Sequence, residues 1–254
     1  VDGESVLELN LHDAVAKIRG PVGTTVELTI DREDSALTIT VVRAEINIPE
    51  IEVSLQDQML VVKLHQFGER TIRDLGKLIE EGLQQNPQGA VLDLRNNPGG
   101  LLDGAISVLS HFVPRGTVVA KVKSRKGIEE EITSSHPIVP ENLPLVVLVN
   151  RGSASASEIV AGALQDLGRA TIIGATPFGK GTVQQVLQIA VKNAVGESVT
   201  VSPKLTTGAW LTALGHSIEG KGITPDIAVE EPEAGGRDEI LPAAVKYLKT
   251  KGRR

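Results

Sequence analysis

Leu145-Val-Val-Leu-Val149, followed by Asn150-Arg-Gly-Ser-Ala-Ser-Ala-Ser-Glu-Ile-Val-Ala-Gly-Ala-Leu-Gln-Asp-Leu167 and Ala170-Thr-Ile-Ile173, is the passage on which the fold turns. The first apolar run suits a buried strand, Ser155 to Leu167 suits a helix, and the last run is again a strand. Strand, helix, strand in this order is a crossover that joins parallel neighbours. Outward from it the alternation recurs, with strands at Met59 to Leu64 and Ala90 to Leu94 and helices near Thr71 to Gln84 and Leu102 to Phe112. The pattern predicts an α/β protein with a mixed, largely parallel sheet flanked by helices, its site built on loops at the strand ends.

The flanks read differently. Leu11, Ala14, Val15 and Ile18 recur at helical spacing before a Gly20-Pro21 stop, and Thr24 to Asp31 and Ala36 to Val42 read as strands joined by a polar turn at 32–35. A helix and a hairpin in about 45 residues make a small independent core, and Val1 reads as a cut end. The tail from Glu231 is acidic and glycine-rich, and Ile240 to Leu248 reads as a closing helix.

Composition bounds the function. With 254 residues and 41% hydrophobic content the chain can build a sizeable core. A net charge of -6, from 26 Lys plus Arg against 32 Asp plus Glu, argues against nucleic acid as the main partner. No cysteine is present, which excludes disulfides, thiolate catalysis and Cys-based zinc sites. No apolar run approaches the ~18 residues of a membrane helix.

Ser155 and Glu158 have the spacing of a capping box, and a serine there also faces the free N–H groups that could stabilise an oxyanion. Its hydroxyl needs a base. His12, His65, His111, His136 and His216 stand in no catalytic motif and read as surface or boundary residues. Lys180 is the better candidate, because no Asp or Glu occurs from Leu167 through Gly196. To be half neutral near pH 7 its pKa must fall by about three from ~10.4, at a cost of about 4 kcal/mol imposed by burial. An exposed lysine in a glycine turn would explain the same residues without chemistry. Gln184, four residues on, returns to the face of Lys180 and could orient its amine without adding charge. Asn96-Asn-Pro-Gly-Gly100 is either a tight turn or a loop presenting N–H groups to negative charge. Gly174-Ala-Thr-Pro-Phe-Gly-Lys180 imitates a P-loop, but Gly181 replaces its Ser or Thr and no helix start follows.

Together Leu92-Asp-Leu-Arg-Asn-Asn-Pro-Gly-Gly100, Gly152-Ser-Ala-Ser-Ala-Ser-Glu-Ile159, Phe178-Gly-Lys-Gly-Thr-Val-Gln184 and Gly220-Lys-Gly-Ile-Thr-Pro-Asp226 resemble the C-terminal processing peptidases, also called tail-specific proteases. The resemblance implies a crotonase-like serine peptidase core at 46–230, preceded by the C-terminal half of a PDZ domain at 1–45 and followed by a helical tail at 231–254 that packs on the core. It implies Ser155 as nucleophile, Lys180 as general base, Gln184 as the residue orienting the lysine, and an oxyanion hole at the N–H of Ala156 and of Gly99 or Gly100. No metal or cofactor is required. The implied partners are polypeptides with accessible C-termini, with room for an envelope adaptor or regulator and for a homo-oligomer. The implied location is extracytoplasmic, in a bacterial periplasm or envelope or a plastid lumen. The family's tyrosine-containing stretch is replaced by Gly208-Ala-Trp-Leu-Thr-Ala-Leu-Gly215, where Trp210 can fill an apolar site, and the low aromatic content gives Phe178 and Trp210 weight in packing. A non-catalytic ligand- or peptide-binding protein on the same scaffold is the alternative, with nucleotide binding a distant third.

Overall fold

The computed structural model describes residues 1–9, 11–32, 35–45, 49–192, 198–231 and 236–251, without the side chains at 11, 12, 185, 186 and 204. The hairpin turn at 33–34, the His12 side chain and residues 232–235 of the glycine-rich tail therefore lie outside the described residues. The chain forms two compact units, Val1–Ile48 and Pro49–Arg254.

The first unit holds α1 (Leu11–Ile18), β1 (Thr25–Arg32) and β2 (Ser35–Val42), the strands pairing antiparallel. The Arg43 guanidinium donates to the carbonyls of Ile18 (2.8 Å) and Thr25 (2.7 Å), tying the end of the helix to the hairpin. Val26, Leu28 and Ile30 lie opposite Val41, Ile39 and Leu37, so one hairpin face carries three successive aliphatic pairs. Leu37, Ile39 and Val41 on that face remain exposed.

The second unit runs β3 (Ile51–Gln56), β4 (Met59–Leu64), α2 (Glu69–Leu83), β5 (Gly89–Asp93), α3 (Leu102–Ser110), β6 (Val118–Ser124) and β7 (Gly127–Ile132). It continues with β8 (Leu145–Val149), α4 (Ala156–Asp166), β9 (Thr171–Gly174), β10 (Thr182–Val186), β11 (Ile189–Lys192), β12 (Ser198–Val201), β13 (Lys204–Thr212), β14 (Ile227–Ala228) and α5 (Ile240–Lys251). Six strands form the main sheet in the order β14-β9-β8-β5-β4-β3. All pair parallel except β3 with β4, which are joined at Asp57-Gln58, where both φ angles are positive as a primed hairpin turn requires.

Every residue of β5 and β8 is buried, as expected for central parallel strands covered on both faces. On one face Leu75, Ile79, Leu109, Val160 and Leu164 from α2, α3 and α4 meet Leu60, Leu92 and Val147. On the other, Ile240, Ala244, Val245 and Leu248 of α5 cover Met59, Val91, Val146 and Leu148. Each such large side chain contributes about 1.5–3 kcal/mol by leaving water.

A second sheet, β10-β13-β6-β7, is antiparallel throughout and is not anticipated by the apolar pattern. Its Ala120 and Trp210 pack with Ile159 of α4, Ile218 and Ile223. Trp210 fills the expected apolar site at 6% exposure, whereas Phe178 is 70% exposed and does not serve packing. His111 is a boundary residue, as expected, but both its ring nitrogens are buried and unpaired.

Candidate active site

The parallel order of β5, β8 and β9 brings their C-terminal loops to one edge of the sheet. The loop after β8 leads into α4 through three alternating serines that the structure separates by role. Ser153 is fully buried and donates from Oγ to the Leu94 carbonyl (2.8 Å); Ser157 is fully buried and donates to the Asn97 carbonyl (2.8 Å). Ser155 is half-buried, at φ 57 and ψ -116. Left-handed φ at a non-glycine residue costs on the order of 1–3 kcal/mol and persists only where its surroundings impose it. A strained turn from strand to helix is also how α/β hydrolases present a nucleophilic serine.

Glu158 supplies the imposition. It is fully buried, and its Oε2 accepts the main-chain N–H of Ser155 (2.9 Å) and of Lys180 (2.9 Å), while Oε1 accepts that of Gly179 (2.8 Å). Two amides on one oxygen place the Ser155 and Lys180 nitrogens no more than about 5.8 Å apart, the sum of the two bonds. Burial raises the Glu158 pKa, and the three N–H bonds oppose that rise. The acid-free surroundings of Lys180 are therefore a feature of the chain and not of the fold: Glu158 lies 22 residues upstream, and Glu219 accepts the Gly181 N–H (2.6 Å). Both carboxylates engage main-chain amides, and among the described residues Lys180, half-buried, forms no ion pair.

The glycine loop after β5 is locked to the serine loop through fully buried Asn97. Its Nδ2 donates to the Leu64 carbonyl (2.9 Å), its Oδ1 accepts the Gly99 N–H (2.9 Å), and its carbonyl accepts the Ala154 N–H (3.0 Å). Gly99, at φ 102, is so close that a Cβ would lie 2.9 Å from Ser155 Cβ and 3.0 Å from Ala156 N. Gly100 is exposed, at φ 150, with no room for a Cβ against the Phe67 carbonyl. Gly220 and Gly222 brace the lysine loop from the other side, Gly220 donating to the Gly179 carbonyl (2.8 Å).

Of the residues singled out in the sequence, Ser155, Ala156, Gly99 and Lys180 thus converge. No hydrogen bond joins Ser155 Oγ to Lys180 Nζ among the described residues. Gln184 sits exposed on β10, without a hydrogen bond from its amide to Lys180. The P-loop imitation runs from β9 through an extended loop into a strand, with no helix N-terminus to hold a phosphate. Asn97, Glu219 and the bridging role of Glu158 escape sequence reasoning; the spacing of Ser155 and Glu158 reveals the cap, but nothing in it links Glu158 to Lys180.

A largely parallel α/β sheet with a serine on a strained strand-to-helix turn, clamped to a lysine loop, is one of the architectures on which serine-type hydrolases are built. The chain belongs to peptidase family S41, whose sequence profile matches residues 58–229. It is 41% identical over 238 residues to the carboxy-terminal-processing protease of Bartonella bacilliformis, covering 91% of this chain and 53% of that protein. To the carboxyl-terminal-processing protease of Synechocystis sp. it is 35% identical over 254 residues, covering 97% and 57%. The solved photosystem II D1 C-terminal processing protease superimposes with a TM-score of 0.72 at 30% identity, over 97% of this chain and 65% of that one. The chain spans about half the length of the curated relatives it matches.

Proposed function

We propose that the chain carries the catalytic unit of a serine endopeptidase that cuts polypeptides near their C-termini. Ser155 Oγ attacks the peptide carbonyl carbon as its proton passes to Lys180 Nζ. The C–N bond breaks, the proton leaves with the amine, and an acyl ester on Ser155 remains. Water then attacks the ester, giving its proton to the same lysine, and the acid product leaves as Ser155 regains its hydrogen. Gln184, four residues along from the lysine, orients the amine on substrate binding.

The carrying observation is the Glu158 carboxylate shared by the amides of Ser155 and Lys180. The oxyanion hole is assigned to the N–H groups of Ala156, the first residue of α4, and Gly100. Gly99 is set aside because its N–H is already bound to Asn97 Oδ1. The first unit, a helix and an antiparallel hairpin, is read as half of a PDZ domain that presents substrate tails.

The relatives' names, carboxy-terminal-processing protease and photosystem II D1 C-terminal processing protease, support the reaction class and a substrate with an accessible C-terminus. An extracytoplasmic location, an envelope adaptor and self-association belong to the same reading. No helix among the described residues is long and apolar enough to cross a membrane.

The test is cleavage of a quenched fluorescent peptide by the wild type, Ser155→Ala and Lys180→Ala, with circular dichroism as the control for folding. Both variants should lose cleavage and keep the fold. Full activity in Lys180→Ala would overturn the lysine as base, and failure of the wild-type Ser155 to react with a serine-directed covalent probe would favour a binding protein instead.

A further inference from the structure

The two edges of the second sheet are unlike. β7 carries Glu129, Glu130 and Glu131 in succession, the kind of charge that keeps another strand from adding. β10, Thr182-Val-Gln-Gln-Val186, carries no charge and no proline and, among the described residues, pairs with β13 alone. Its hydrogen-bonding phase is fixed at both ends: Trp210 donates to the Gly181 carbonyl (2.6 Å) and Leu187 to the Pro203 carbonyl (3.0 Å). The register slips between Val183 and Gln184 at the expense of residue 207 on β13, so β10 keeps its own alternation. The main-chain groups of 182, 184 and 186 consequently turn away from β13, toward the open side of the sheet.

This edge begins two residues after Lys180, whose amide nitrogen is within about 5.8 Å of that of Ser155. On the face of the sheet shared with Trp210, Val183 packs against the cluster that holds Ile159, one turn beyond Ser155. Past Val183 that face continues as a groove of about 560 Å³ lined by Val122, Val183 and Leu205 together with Arg125, Lys126 and Glu129.

We propose that the polypeptide substrate binds by adding as a strand to the open edge of β10, with an apolar side chain directed into the Val122, Val183 and Leu205 groove. This rests on the peptidase reading and deepens it. Main-chain bonds to 182 and 184 hold the chain in register past Ser155 whatever its sequence, and the groove selects one side chain, which is how strand addition divides affinity from specificity.

The test uses a peptide containing leucine near its cut site and a series of analogues, each N-methylated at one successive position. N-methylation removes a donor and blocks strand pairing at that residue. Binding of the fluorescent series to the Ser155→Ala variant, read by anisotropy, should weaken at least about tenfold at every second position and change little between. Uniform sensitivity, uniform tolerance or no binding of the parent peptide overturns the proposal. Leu205→Asp, at a half-exposed position, should move the preference at one substrate position from Leu to Lys, read as the ratio of kcat/KM for the two peptides. An unchanged preference removes the groove. A wild type that binds the series with alternation yet fails to cut the parent peptide would instead overturn the peptidase reading alone.

Discussion

Glu158 and Lys180, 22 residues apart in the chain, meet at a 2.9 Å hydrogen bond from the lysine's main-chain N–H to Oε2, the oxygen that also accepts the Ser155 N–H. The carboxylate is an acceptor for three donors, and no isostere with a donor can replace it. Glu158→Gln turns one acceptor into an NH2 that faces a main-chain N–H, leaving buried donors unpaired at about 1–3 kcal/mol each. Peptide cleavage should fall on the order of 100-fold, while circular dichroism shows a folded protein. Glu158→Asp, one methylene shorter, should also fail to span the two loops. Wild-type rates in Glu158→Gln would show that the clamp does not position the site.

Gly99 and Gly100 separate packing from permissive backbone. At Gly100 an added Cβ meets the Phe67 carbonyl oxygen at 2.2 Å, and at Gly99 it meets the Ala154 carbonyl oxygen at 2.8 Å and Ser155 Cβ at 2.9 Å. Gly168 also has positive φ but nothing within 4 Å. Thermal melts should therefore rank Gly100→Ala as most destabilised, Gly99→Ala next, and Gly168→Ala lowest at about 1 kcal/mol of backbone strain. Gly99→Ala should in addition lose peptidase activity out of proportion to its stability, because its Cβ displaces the Ser155 turn.

The parallel core was legible because β4, β5, β8 and β9 are apolar runs separated by helical patterns, and that signal needs no tertiary information. The second sheet was not. Its β6 and β7 are matched by Lys121 opposite Glu130, a charged cross-strand pair with a 3.4 Å contact, so no apolar period marks them. β3 escaped because its two-residue turn is Asp57-Gln58 rather than a glycine-bearing pair. At the site, residue types and order pointed to Ser155, Lys180 and the glycine loop. The buried acceptors that fix them, Glu158 and Asn97, depend on pairings 22 and 57 residues apart that no local spacing encodes.

Arg95 couples the glycine loop to the closing helix. Burial works against its charge, yet Asp93 (2.7 Å) and Asp238 (2.8 Å) outweigh burial and raise its pKa. Asp238 also accepts the Ile240 N–H (3.0 Å) at the start of α5. Arg95→Ala leaves Asp93, 2% exposed, as an unpaired buried charge, a loss of about 3–5 kcal/mol. Urea denaturation should show that loss, and hydrogen exchange should show faster opening at the first turn of α5 than at its last. Equal exchange at both ends would mean that Arg95 does not hold the helix.

His111 makes stability depend on pH in a direction the structure fixes. Its two ring nitrogens are buried with neither hydrogen-bonded, and burial lowers its pKa below the ordinary value of about 6.5. The unfolded chain then takes up a proton near pH 6.5 while the folded protein does not, so between the two pKa values the unfolded state binds more protons. Stability is full above about pH 6.5 and declines as pH falls toward the folded pKa. His111→Leu removes both the unpaired nitrogens and the titration. The urea midpoint of this variant should exceed that of the wild type at pH 8 and exceed it by more at pH 5, because only the wild type carries the His111 titration. An identical gain at both pH values would show that His111 is not the group responsible.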